Sequence, residues 1–250
     1  MKKIYLFLTA LMLTVAASAQ TTIKGDVNGD GTVDIADVTE VVNIILNPDS
    51  DDDTPVLPDT PTTDSRAIDL GLSVKWASCN VGATAPEEYG GYYAWGETEE
   101  KSDYSWDTYK YCNSTSTLIL MTKYCTSVAY GTVDNKTTLE PTDDVATVKW
   151  GGNWRMPTGA EQDELRNSCT WEWTTLNGVN GYRVTGPNGN SIFLPAGSRY
   201  GNQGSIGGYW SSSLNSSYSS YACYLNFFSS NYIRNNNSRY YGLTVRPVCP

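Results

Sequence analysis

Tyr209 to Val248 reads YWSSSLNSSYSSYACYLNFFSSNYIRNNNSRYYGLTVRPV, and the fold expected of the second half of the chain follows from it. Apolar anchors bracket the stretch, Tyr209-Trp210 in front and Leu243 to Val248 behind. Between Asn215 and Tyr241 lie six Asn, seven Ser and six Tyr, 19 of 27 positions. Such side chains make a poor core, because buried Asn and Ser need hydrogen-bond partners. They make a good recognition surface: Tyr gives large contact area at low rotamer cost, and Ser and Asn give adaptable donors and acceptors. A polar loop without a ligand is the plainer alternative. Strands are expected at Tyr209–Ser213, Cys223–Phe228 and Leu243–Val248. In the middle one Leu225 and Phe227 point to the core, so Tyr224, Asn226 and Phe228 face the ligand side. The expected contact set is Asn215, Tyr218, Tyr221, Tyr224, Asn226, Phe228, Tyr232, Arg234, Asn236, Ser238 and Tyr240.

Charge separates this region from the rest. The chain carries a net −10, yet no acidic residue follows Glu172, while Arg183, Arg199, Arg234, Arg239 and Arg246 do. The last third is therefore +5 and carries the expected binding face. The acidic whole disfavours polyanions, so no nucleic-acid partner is expected. The chain has no His, which removes the commonest general base and imidazole metal sites.

Upstream, Ala67–Ala77 reads as a strand and Tyr92–Gly96 as another. Residues 98–141 read as a turn-rich insertion, and Asp143–Trp150 as a short helix. Thr158 and Glu161 form a capping box that starts a helix ending near Asn167. Gly186-Pro187-Asn188-Gly189 is a hairpin turn between Tyr182–Val184 and Ser191–Leu194. Gly201–Gly208 reads as a mobile loop. Two short helices with a mostly antiparallel sheet give an α+β domain over residues 66–250.

Three motifs carry a family resemblance: Trp154-Arg155-Met156-Pro157-Thr158 with Glu161 and Leu165, then Tyr209-Trp210-Ser211-Ser212-Ser213, then Gly242-Leu243-Thr244-Val245-Arg246-Pro247-Val248. Together they resemble secreted bacterial domains of the C-type-lectin-like fold, the Fibrobacter-type major paralogous domain among them. The resemblance spans roughly residues 66–249 and implies late loops that form a binding face. The same tail resembles the variable region of proteins diversified by retroelements, in which Asn codons mutate at adenines. Adenine changes from AAC reach Ser, Tyr, Phe, Cys, Ile and Arg, all present between Ser216 and Tyr241. A fixed surface with the same ending is the alternative. The fold's calcium-dependent sugar site needs late acidic residues, which are missing here, so sugar binding would be calcium-independent. The paired-Cys motif of the related formylglycine-generating enzymes is absent as well. Glu97, Glu99, Asp143, Asp144 and Glu161 are the remaining candidate acids; nothing pairs them, and they read as helix caps and solvated turns. No enzyme activity is expected.

The amino-terminal quarter is organised differently. Residues 1–19 read as a signal peptide: Lys2-Lys3, an apolar run, then Ala17-Ser18-Ala19 before Gln20. Export to the medium or cell surface is expected, with no transmembrane segment, and losing Lys2 and Lys3 takes the net charge from −10 to −12. Residues 20–47 hold a twelve-residue calcium loop and a helix. Asp26, Asn28, Asp30, Asp34 and Asp37 supply side-chain oxygens at loop positions 1, 3, 5, 9 and 12, Thr32 its carbonyl at 7, and Gly31 the sharp turn. The short acid at position 12 resembles the dockerin repeat, although only one repeat is present. Ile35, Val38, Val41, Val42 and Ile45 fall on one helical face. A docking partner for that face and a calcium-stiffened spacer are both consistent with it. Residues 48–65, with four Pro and six Asp, are a semi-stiff linker.

The six Cys, at 79, 112, 125, 169, 223 and 249, all follow this linker. In an exported chain they admit 15 disulfide connectivities, Cys112–Cys125 being a plausible local pair; buried free thiols are the alternative. The functional expectation is an exported module recognising protein or glycan through its carboxy-terminal face. A calcium-stabilised surface or assembly protein is the second reading.

Overall fold

The structure is a computed structural model that describes residues 27, 32, 33, 35, 37–39, 41, 64–115, 118–197 and 203–250. The chain divides into two compact units, Met1–Thr60 and Pro61–Pro250. In the first, the backbone is helical at Ile35, Asp37–Thr39 and Val41. Asp37 is buried, and its Oδ1 accepts the Val27 amide at 2.7 Å. Ile35, Val38 and Val41, expected to share an apolar face, are all exposed. Val42 and Ile45 lie outside the described residues, as do Asp26, Asn28, Asp30 and Asp34.

The second unit is built from short strands and few helices. In chain order these are β1 Ala67–Ile68, β2 Lys75–Ala77, β3 Cys112–Thr115, β4 Leu118–Met121, a 3-10 turn Pro141–Asp143, α1 Val145–Trp150 and α2 Gly159–Ser168. Then follow β5 Thr170–Leu176, β6 Val179–Thr185, β7 Ser191–Pro195, β8 Ile206–Leu214, β9 Tyr221–Phe228, β10 Asn231–Ser238 and β11 Val248–Cys249. All ladders are antiparallel and form four small sheets, β1-β2-β11, β3-β4, β5-β6-β7 and β10-β9-β8.

Several expectations change in detail. Ala67–Ala77 is not one strand but two, because Asp69 accepts the Gly71 amide at 2.7 Å and Gly71 takes φ 73° to turn the chain. Tyr92–Gly96 makes only an isolated bridge, Tyr93 to Leu243. Leu243–Val248 is likewise mostly bridges, with β11 starting only at Val248. The Gly-rich segment enters β8 at Ile206, so Gly207 and Gly208 belong to a strand. A Cβ on Gly207 would stand 2.1 Å from the Phe227 ring, so glycine lets that ring lie flat on β8. Strand β5 lies outside the expected elements; Asn177 at φ 48° and Gly178 at φ 83° give the left-handed pair that joins it to β6.

Both helices begin as their caps dictate. Asp144 Oδ1 accepts the Ala146 and Thr147 amides at 2.9 and 3.0 Å, and Thr158 with Glu161 closes the capping box. Each cap satisfies donors that an uncapped first turn leaves orphaned.

The β8-β9 pair separates two aromatic cores. On one side Trp210, Leu214, Ala222 and Tyr224 join Trp95, Tyr109 and Tyr124. On the other, Tyr209, Leu225 and Phe227 join Trp76, Leu165, Tyr182 and Leu194. Two buried arginines tie these cores to surrounding loops. Arg246 donates to Asn80 Oδ1, Ala77 O and Phe193 O at 2.8, 2.9 and 2.8 Å. Arg239 donates to the Tyr109 hydroxyl and to the carbonyls of Lys123, Tyr124 and Ser219, beneath the Trp95 ring. Neither can contribute to a cationic surface, which corrects the expected +5 face. Arg183 is paired with Glu172 at 3.4 Å, and Arg199 lies outside the described residues.

Of the two alternatives for the cysteines, the structure has the free thiols: all six are unbridged. Cys79 and Cys125 donate instead to nearby carbonyls, Ala83 O at 3.3 Å and Ser127 O at 3.1 Å.

Candidate ligand-binding site

The register of β9 on β10 decides which expected contact residues share a face. Tyr221, Cys223, Leu225 and Phe227 pair with Ser238, Asn236, Arg234 and Tyr232, and paired residues project to the same side. Tyr224, Asn226 and Phe228 pair with Asn235, Ile233 and Asn231 on the opposite side. The expected contact set is thus split across the sheet.

Tyr224 is a correction. It is buried edge-on against Trp210 at 5.8 Å, because residues 93–146 cover the face expected to meet a ligand. Asn226 is half-buried and donates to Gly207 O at 3.2 Å, while Phe228 at the strand end is exposed. Tyr232 stacks on Trp171 at 4.6 Å and 10°, closing the second core rather than standing free. Tyr240 leans on Trp106 at 4.8 Å. Ser238 is half-buried, and its amide is held by Asn237 Oδ1 at 2.9 Å.

The other five residues come together. Asn215, Arg234 and Asn236 line an open groove of about 400 Å³ between the first turn of α2 and the ends of β8, β9 and β10. Gly159, Ala160, Asp163, Ser213, Cys223 and the Leu214, Ser216 and Ser217 segment complete its walls. Asn215 Oδ1 accepts the Ser217 and Tyr218 amides at 2.8 and 2.9 Å, which folds the loop that presents Tyr218 and Tyr221. Those exposed rings meet edge-on at 6.3 Å, and Tyr218 touches Tyr130 at 6.1 Å. The groove floor is polar. Arg234 Nε donates to Asp163 Oδ2 at 2.7 Å and its Nη1 lies 3.6 Å from Cys223 Sγ. Cys223 in turn donates to Asn236 Oδ1 at 3.3 Å, and burial pushes the thiol's pKa up, keeping it protonated. Asp163 and Ser213 carry no sequence signal for a site; only the packing of α2 on β8 and β10 brings them here.

The candidate acids separate into structural roles. Asp144 and Glu161 are caps, and Glu161 also pairs with Arg155 at 2.6 Å. Glu99 is an exposed partner of Lys149. Glu97 is buried and takes Lys101 Nζ at 2.9 Å and the Lys110 amide at 2.8 Å. Asp143 is not a solvated turn residue. It is buried, accepts the Tyr111 hydroxyl and the Tyr124 hydroxyl at 2.7 Å, and pairs with Lys123 at 2.5 Å and Lys110 at 3.3 Å. These donors hold its carboxyl at about 2 against the opposing effect of burial. A carboxylate so fully engaged is a structural anchor rather than a proton-transfer group.

Among the described residues no cluster of three or more His, Cys, Asp or Glu could hold a metal ion, and no helix is long and apolar enough to cross a membrane. Of the expected calcium ligands only Thr32 and Asp37 are described. The bond from the Val27 amide to Asp37 joins position 2 of the expected loop to position 12. Compared with family models, curated proteins and solved structures, the chain matches none.

Proposed function

We propose that the chain is an exported recognition module whose second unit, a C-type-lectin-like domain, binds its ligand in the groove beside α2. One observation carries this reading: Asn215, Arg234 and Asn236, picked out by composition, line one open concavity, and the Asn215 side chain holds the start of the loop that carries exposed Tyr218 and Tyr221. Polar groups of both senses on its floor, with exposed aromatic rings in the adjoining loop, are what a selective, non-covalent site needs. The rest of the tail builds the platform. If the tail is diversified, the exposed members of the set are where variation changes binding, and the buried Tyr224 and Arg239 are where it damages the fold.

In the first unit, Asp26, Asn28, Asp30, Asp34 and Asp37 with the Thr32 carbonyl would hold calcium, which would order the loop and the helix behind it. Calcium has no part in the groove, where Asp163 is the one carboxylate.

The test is a screen of the full chain against glycan and protein arrays, repeated with Tyr218→Ala and Tyr221→Ala combined. Loss of two exposed aromatic contacts should weaken binding by about tenfold or more without moving the melting temperature. Unchanged affinity in that variant refutes the site. The assembly reading is favoured by exposed Leu118, Ile119 and Val128 around the β3-β4 hairpin. Concentration-dependent oligomerisation, lost on Leu118→Ser with Ile119→Ser, would support it instead.

A further inference from the structure

We propose that the groove takes the acetamido group of a neutral N-acetylated sugar. The inference rests on the recognition reading above and narrows it to one ligand class. It follows from the direction of the hydrogen bonds. The protein already engages the groove's main acceptor oxygens: Asn236 Oδ1 holds the Cys223 thiol at 3.3 Å, and Asn215 Oδ1 holds two amides at 2.8 and 2.9 Å. Asp163 takes Arg166 at 3.2 Å on Oδ1 and Arg234 at 2.7 Å on Oδ2, and Ser213 Oγ takes the Gly159 amide at 3.0 Å.

Apart from the Ser216 and Ser217 hydroxyls, which can act in either sense, donors are what remain. A side-chain amide that commits its oxygen inward still has two N–H groups to place. The NH₂ groups of Asn215 and Asn236, and Nη2 of Arg234, have no partner among the described residues. The orientation of the Asn215 amide is set by these contacts, since its oxygen accepts from two backbone amides, which can only donate.

A cleft of unpaired donors suits a ligand that presents acceptors. A carboxylate would sit beside Asp163 on a chain of net charge −10, so a neutral carbonyl is favoured. The walls are mostly small and polar and give a peptide side chain little apolar surface, and the exposed rings of Tyr218 and Tyr221, in the loop that leaves the groove after Ser217, are available to the C–H face of a pyranose that extends beyond it. A volume of about 400 Å³ lies within the range of small-ligand sites.

The experiment is calorimetric titration of the full chain with N,N′-diacetylchitobiose, cellobiose and digalacturonate, on wild type and Asn236→Asp, which exchanges a donor for an acceptor. Diacetylchitobiose should bind at least about tenfold more tightly than the other two, and Asn236→Asp should weaken it at least about tenfold with an unchanged melting temperature. Arg234→Gln, which keeps donors but loses the fork, gives a second reading of the same floor. Equal binding of cellobiose, or tighter binding of digalacturonate, sensitive to the same substitutions, overturns the acetamido assignment and leaves the groove as a recognition site. So does the absence of binding by all three when an array ligand is found that the Tyr218/Tyr221 variant loses. Binding untouched by any groove substitution overturns both.

Discussion

Replacing Arg239 by Met should cost the second unit about 3 kcal/mol of stability. The guanidinium makes five hydrogen bonds, to the Tyr109 hydroxyl at 2.8 Å, Lys123 O twice at 3.1 Å, Tyr124 O at 3.2 Å and Ser219 O at 2.9 Å. It lies 4.8 Å over Trp95 and is fully buried. Methionine fills a similar volume but donates nothing, so four acceptors lose a donor at about 1 kcal/mol each. Removing a buried charge returns part of that loss. With a urea slope of about 2–3 kcal/mol/M for a unit of this size, the midpoint should fall by about 1–1.5 M. Arg239→Lys keeps the charge, yet a single nitrogen cannot reach acceptors spread around a planar fork, and it should fall nearly as far. The assay is equilibrium urea unfolding followed by tryptophan fluorescence. A midpoint within about 0.3 M of wild type for Met, or full recovery with Lys, refutes the hydrogen-bond account. The effect also reaches the groove, because Arg239 fixes Ser219, whose hydroxyl caps the Thr126 amide at 3.0 Å between the insertion and the Tyr218–Tyr221 loop.

Tyr224→Ala should unfold the domain at a temperature well below wild type, losing about 3–5 kcal/mol as a large core aromatic, whereas exposed Tyr218→Ala should stay within about 0.5 kcal/mol; thermal denaturation of the pair checks which tyrosine is core. Asp143→Asn should cost about 1–2 kcal/mol at pH 7. Since the folded carboxyl titrates near 2, below its ordinary 3.8, its contribution is present above about pH 4 and lost as pH falls towards 2, so wild type and variant should converge in acid unfolding over that window. Calcium titration of the full chain should show one site that Asp26→Ala with Asp30→Ala removes, leaving the unfolding of the second unit unchanged; calcium binding that survives both substitutions contradicts the loop assignment.

The elements that announce themselves locally were legible. A capping box at Thr158 and Glu161 and the hairpin turn Gly186 to Gly189 need only neighbours to act, and α2 and the β6-β7 pair stand where those residues place them. Leu225 and Phe227 pack inward as alternation requires. Tertiary cover was not legible. Alternation says that Tyr224 faces away from Leu225, but not that residues 93–146 supply Trp95 and Tyr124 to bury that second face. Strand β10 was hidden for the converse reason, since Asn231 to Ser238 has the composition of a loop and becomes a strand by pairing along β9. The pair around Asn177-Gly178 carried a recognisable hairpin signal beyond the expected elements. Counting late arginines overstated the charge of the face, because Arg239 and Arg246 are buried and each finds a partner in a backbone carbonyl more than a hundred residues away in sequence.

Recognition in the groove beside α2 is tested most directly by mapping a bound ligand onto the full chain by amide chemical-shift perturbation. The account predicts shifts concentrated at Gly159–Asp163, Ser213–Tyr221, Cys223, Arg234 and Asn236. Shifts gathered instead around a second cleft, lined by Arg66, Lys75, Trp150 and Trp154, or along the β3-β4 hairpin, would contradict it.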